Sequence, residues 1–148
     1  MVATALGAGP LAAPLAAQQR GRGLELGLQA TGTASDPAVG VAGLYAGLRG
    51  SSRVRVVTQL GAGVTEHGAA AWRGELAAHF LLNPFARRGV GFYGGGGVAA
   101  AGAHGLDTQG YALLTLGVES RPGASSGWAL EVGLGGGVRV SAGWRWRR

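Results

Sequence analysis

The side chains best spaced for acid–base chemistry in this chain are Arg73, Glu75 and His79. In an extended segment, residues two and four apart point the same way, so a guanidinium, a carboxylate and an imidazole would share one face. Such a trio could move a proton. It is also what a buried charged face demands, because a carboxylate removed from water must be paired. The pairing reading is the stronger, since no nucleophile is spaced with the trio. A hydrolase needs serine, histidine and an acid brought together, and nothing in the spacing of Ser141 ties it to His79. His67 beside Glu66 and His104 near Asp107 are metal-ligand types, but they fall in separate turn-like segments and read as solvated turn residues. Gly89-Val90-Gly91-Phe92-Tyr93-Gly94 has the glycine spacing of a dinucleotide fingerprint. That chemistry requires a helix to follow, and Gly95-Gly96-Gly97 continues a glycine run suited to a curved strand. With no cysteine in the chain, thiolate chemistry, disulfides and cysteine zinc sites are ruled out. The expectation is a chain with no catalytic, cofactor or metal site.

The elements that carry these residues are strands. Val138 to Arg147 alternates without a break, with Arg139, Ser141, Gly143, Arg145 and Arg147 on one face and valine, alanine and tryptophan on the other. Seven more runs do the same. Leu24, Leu26 and Leu28 alternate with Glu25, Gly27 and Gln29; a glycine-diluted run over about Ala38 to Arg49 sets Leu44 and Leu48 against Tyr45 and Arg49. Val54, Val56 and Leu60 oppose Arg53, Arg55 and Gln59, and Trp72, Leu76, Phe80 and Leu82 oppose Arg73, Glu75 and His79. Val90 to Ala100 is held by Phe92 and Val98 among glycines; Leu114, Leu116 and Val118 oppose Thr115 and Glu119; Trp128, Leu130 and Val132 oppose Glu131 and Gly133. Eight amphipathic strands predict an all-β, antiparallel, up-and-down barrel.

At 148 residues the chain is one domain, with 31 glycines and a net charge of +6 carried by 13 arginines and no lysine. Those arginines do not form the patch or helix face of a nucleic-acid binder. Every second link is arginine-rich: Arg49 to Arg53, Asn83 to Arg88, and Arg121 onward. The links between them hold Asp36, Glu66 and Asp107. Alternate links of a meander share an end, so one end of the barrel should be basic and the other weakly acidic. No apolar run is long enough for a transmembrane helix. Residues 1–17 read as the tail of a signal peptide with cleavage after Ala17, leaving a barrel domain over 18–148.

Alternation does not say which face is inside. A soluble, lipocalin-like barrel would turn the apolar face inward around a small ligand; a membrane barrel turns it outward to lipid. The polar face is small and glycine-rich, and Glu25, Glu75, Glu119 and Glu131 all lie on it, where Arg55, Arg73, Arg139, Arg145 and His79 could form a charge network lining the lumen. Phe80, Phe92, Trp128, Trp144 and Trp146 fall on the apolar face at the basic end, as an interfacial girdle would. Lipid is therefore favoured. In this pattern of eight amphipathic strands, short links, charged interior and aromatic last strand, the chain resembles the small eight-stranded outer-membrane barrels, the superfamily of the transmembrane domain of outer-membrane protein A. The resemblance implies a monomer in the bacterial outer membrane, with the lipid bilayer and the barrel-insertion machinery as partners, no nucleic acid, no cofactor, and a structural role with a plugged lumen. A secreted ligand-binding barrel and a membrane-embedded hydrolase are the alternatives.

Overall fold

The computed structural model describes residues 23–51 and 53–148 as eight strands: β1 (Gly23–Ala34), β2 (Val39–Arg49), β3 (Val54–Thr65), β4 (Ala70–Leu81), β5 (Val90–Ala103), β6 (Gln109–Ser120), β7 (Ser126–Leu134) and β8 (Val138–Arg147). Each strand pairs antiparallel with the next in sequence, and β1 pairs with β8, so the sheet closes into a barrel. The signal-like segment expected over residues 1–17 lies outside the described residues. β5 runs three residues past the Ala100 end read from the sequence. The alanines at its end show no alternation, and cross-strand pairing of Ala101 with Gln109 and of Ala103 with Ala71 carries them.

The two faces settle which way the barrel is turned. Leu26, Leu28, Leu44, Leu60, Leu114 and Leu116 are each more than half exposed, whereas Arg55, Arg139 and Arg145 are at most 1% exposed. The polar face is the inside. A lipocalin-like ligand barrel requires the reverse, and that alternative is overturned. Arg53, read from alternation as a lumen residue, instead sits exposed in the β2–β3 link, because β3 begins at Val54.

Glycine sets how close the strands' side chains can come. Around the barrel, Gln29, Gly43, Gly61 and Arg73 are successive partners on β1 to β4, so two adjacent strands contribute no side chain between a glutamine and an arginine. A Cβ on Gly43 would run into the Leu60 carbonyl and the Gly61 Cα. The void bounded by Gln29, Gln59, Arg73 and Glu75 is only about 10 Å³, one water's worth. Apolar side chains fill another layer: Tyr45, Val57, Ala77 and Leu113 form a buried cluster, with Leu81 also buried.

Gly43→Ala should therefore destabilise the barrel by about 1–3 kcal/mol, the usual penalty of overpacking. Gly40→Ala, on the same strand with nothing within 4 Å of its added Cβ, should be close to neutral. Denaturant unfolding in detergent micelles distinguishes the two.

Candidate functional site

The inward positions converge on one chain of alternating charges. It starts at the end of β2, where the Arg49 guanidinium donates to Glu25 at 2.9 Å. Glu25 also accepts from Arg55 at 2.9 Å, and Arg55 reaches Glu119 on β6 at 2.9 Å. Arg145 then links Glu119 at 3.1 Å to Glu131 at 2.6 Å. Arg139 joins Glu131 at 3.0 Å to Glu75 at 2.7 Å, and Arg73 closes the series on Glu75 at 2.6 Å. Because Arg49 ends β2 and Arg73 lies near the start of β4, the series runs along the barrel from the basic end to the other. Glu119 and Glu131 are about 1% exposed, so these are charges removed from water and held by direct, charge-assisted hydrogen bonds.

Tyrosines and glycines let the guanidiniums fit. Arg145 stacks over the Tyr45 ring at 4.3 Å, and Arg55 over the Tyr93 ring at 4.9 Å. In the register, Gly27 stands between Arg145 and Tyr45, so no side chain separates them. Gly117 stands between Tyr93 and Glu131, and a Cβ there would meet the Tyr93 ring; its absence lets the Tyr93 hydroxyl donate to Glu131 at 2.8 Å. Gly95 likewise stands between His79 and Thr115, whose Nε2 and Oγ1 lie 3.3 Å apart.

Eight of the residues expected in the lumen network, Glu25, Arg55, Arg73, Glu75, Glu119, Glu131, Arg139 and Arg145, are brought together in these ion pairs. His79 enters differently. It forms no ion pair among the described residues and stacks on Tyr93 with ring centroids 4.9 Å apart, so Arg73, Glu75 and His79 are not assembled as an acid–base trio. Ser141 is engaged with Thr31 across the β1–β8 seam at 2.8 Å. His67 lies 3.9 Å from Glu66 in an exposed turn and His104 lies in the β5–β6 link; no group of three metal-ligand types gathers among the described residues.

Closure of the ring places Glu25 opposite Arg147 and Gly27 opposite Arg145, so Glu25 and Arg145 sit one rung apart inside the seam. The Glu25 carboxylate is nonetheless taken by Arg49 and Arg55, with Arg147 at 3.6 Å, while Arg145 turns toward Glu119 and Glu131. Sequence reasoning put Arg49, Tyr45 and Arg147 on the polar face without joining them to the charge network, and it did not single out Tyr93. Arg147, in phase with Arg145, bonds Glu119 at 2.9 Å. Phe80, Phe92, Trp128, Trp144 and Trp146 all project outward, between 38% and 55% exposed, on the halves of their strands nearer the chain's C-terminal end. Exposed Phe85, in the β4–β5 link, joins that end, and Trp72 lies outward at the opposite one.

The geometry is that of a small barrel with a charged interior and an apolar exterior. Over 84% of this chain and 97% of the other, it matches the N-terminal β-barrel domain of Pseudomonas aeruginosa OprF with a TM-score of 0.64 at 13% sequence identity. Neisserial surface protein A matches with a TM-score of 0.54, again at 13% identity, over 85% of this chain and 96% of that one. The chain has the fold of the small eight-stranded outer-membrane barrels. No protein-family model and no curated protein sequence matches it.

Removing one buried carboxylate takes one countercharge from each of several guanidiniums and leaves the lumen with excess buried positive charge. Glu119→Gln, which removes the carboxylate shared by Arg55, Arg145 and Arg147 and leaves them only Glu25 and Glu131, should cost about 3–5 kcal/mol. Glu66→Gln, whose ion pair among the described residues is the exposed contact to His67, should change stability by less than about 0.5 kcal/mol. Unfolding midpoints of the two variants in the same detergent give the comparison.

Proposed function

We propose that this chain is a structural, non-enzymatic barrel of the bacterial outer membrane, with a lumen closed to bulk flow. The observation that carries it is the inverted burial. Large apolar side chains project outward from every strand while the strands' carboxylates and their guanidinium partners point inward, an arrangement that water on both sides would penalise and lipid outside would favour. Closure supports the same reading, because a sheet inside a bilayer can leave no unpaired edge. So does the outward aromatic set at the basic end, placed where rings would sit at a headgroup boundary. The ion-paired lumen, with tyrosine rings stacked against its guanidiniums, is the plug. The engagement of His79 with Thr115 and Tyr93, and of Ser141 with Thr31, supports a structural role over a hydrolytic one.

On this reading residues 1–17 direct export, the barrel-insertion machinery assembles the mature domain, and the barrel works as a monomer. The links are short, from the three residues between β7 and β8 to the eight between β4 and β5, and offer little surface for adhesion. The protein's contribution is then the barrel itself.

Leu114 lies outward at the middle of β6, and Val132 lies outward on the adjacent β7, paired with Leu116. Leu114→Arg or Val132→Arg should place a charge near the bilayer midplane and reduce folding into lipid vesicles by about 2–4 kcal/mol; unimpaired insertion of both variants contradicts the reading. Planar-bilayer recordings of the folded protein should show no steady, large conductance. A persistent open channel would mean that the ion-paired lumen is not a plug.

A further inference from the structure

The outer surface of the barrel is not evenly covered. Between Phe92 and Val98 the outward positions of β5 are Gly94 and Gly96, and the register sets Gly94 between Phe80 on β4 and Leu116 on β6. The missing side chains leave an apolar groove of about 410 Å³, floored by Gly94 and walled by Phe80, Leu82, Phe92 and Leu116. The groove lies at the ends of β4 and β6 and the start of β5, directly below the β4–β5 and β6–β7 links.

Those two links are tied together and carry unpaired positive charge. The Arg121 amide donates to the Gly89 carbonyl and the Gly123 amide to the Ala86 carbonyl, each at 2.9 Å. Arg121 holds φ at +44°, a left-handed conformation that residues with a side chain seldom adopt, so its position is set by the turn. Arg87, Arg88 and Arg121 are exposed. No ion pair among the described residues includes them. The acidic link residues Asp36, Glu66 and Asp107 are at the other end of the barrel.

We propose that the groove and these three guanidiniums form a binding site for one anionic phospholipid, with an acyl chain lying over Gly94 and the phosphodiester against Arg87, Arg88 and Arg121. The proposal rests on the membrane-barrel reading above. Charge selects the headgroup, since each basic side chain at a membrane surface strengthens attachment to anionic lipid about fivefold. Shape selects the tail. One groove a single strand wide accepts one chain, which suits a phospholipid such as phosphatidylglycerol better than a many-chained glycolipid with two phosphates.

The test is made on full-length protein folded into phosphatidylcholine vesicles with and without phosphatidylglycerol. Insertion into pure phosphatidylcholine, read from the heat-dependent shift in gel mobility, is scored first. Failure there sinks the membrane reading itself and is separate from lipid selectivity. Native mass spectrometry of the extracted barrel should then show one phosphatidylglycerol retained in preference to phosphatidylcholine. Arg87→Gln/Arg88→Gln/Arg121→Gln should weaken retention about a hundredfold. If the triple variant does not fold, Arg88→Gln alone should weaken it about fivefold. Gly94→Leu, which fills the groove and leaves the charges in place, should also abolish selective retention. Arg53→Gln/Arg148→Gln, exposed at the same end outside the groove, should leave it unchanged. Equal retention of phosphatidylcholine, a loss in the Arg53/Arg148 variant as large as in the triple variant, or full retention by Gly94→Leu would each overturn the proposal. So would displacement of phosphatidylglycerol by an equal concentration of a two-phosphate glycolipid.

Discussion

A charge inside a barrel eight strands wide must meet its countercharge there, and this requirement orders the rest of the molecule. Breaking one member of a buried ion pair costs far more than an exposed pair contributes. Here each buried carboxylate bridges two or more guanidiniums: Glu25 holds Arg49 and Arg55, Glu119 holds Arg55 and Arg145, Glu131 holds Arg145 and Arg139, and Glu75 holds Arg139 and Arg73. The partners come from β1 to β4 and β6 to β8, so the series fixes register around nearly the whole ring. A one-residue slip of any of these strands would turn its charged members out of the lumen.

The glycine content follows from the same constraint. An arginine crossing the lumen to a glutamate or a tyrosine ring needs neighbouring positions empty. Gly27, Gly95 and Gly117 supply those gaps beside Arg145, His79 and Tyr93 respectively. On the outside, glycine has the opposite effect, for Gly94 opens the outer surface where side chains elsewhere close it. One residue type thus allows close packing within and leaves a groove without.

Much of this was legible in the sequence because a strand's period is two. The run from Val138 to Arg147 has the bounds read from alternation alone, and the faces of β1, β4, β7 and β8 follow from their alternating charged and apolar residues. The direction of the faces came from the small size of the polar side and the placement of all four strand glutamates on it. What the sequence left hidden has physical causes. Val57, Leu81 and Leu113 are apolar residues on the inward face, and hydrophobicity alone assigns such residues outward. Alternation could not end β5, whose alanines are equally suited to either face, nor show that Arg53 precedes the first residue of β3. Individual ion pairs were beyond reach, because which guanidinium takes which carboxylate depends on the stagger of the closed ring. Glu25 and Arg145 are neighbours in the seam, yet Arg49, Arg55 and Arg147 crowd the Glu25 carboxylate.

The inverted burial can be read directly in the unmodified protein. In detergent micelles, nuclear Overhauser contacts between the detergent alkyl chains and leucine and valine methyls report which side chains meet the apolar phase. The methyls of Leu28, Leu44, Leu60, Leu114 and Val132, all more than half exposed, should show these contacts. Those of Val57, Leu81 and Leu113, each at most 2% exposed, should show none. Alkyl contacts at the second set and their absence from the first would mean that the faces are reversed and the charged lumen does not exist.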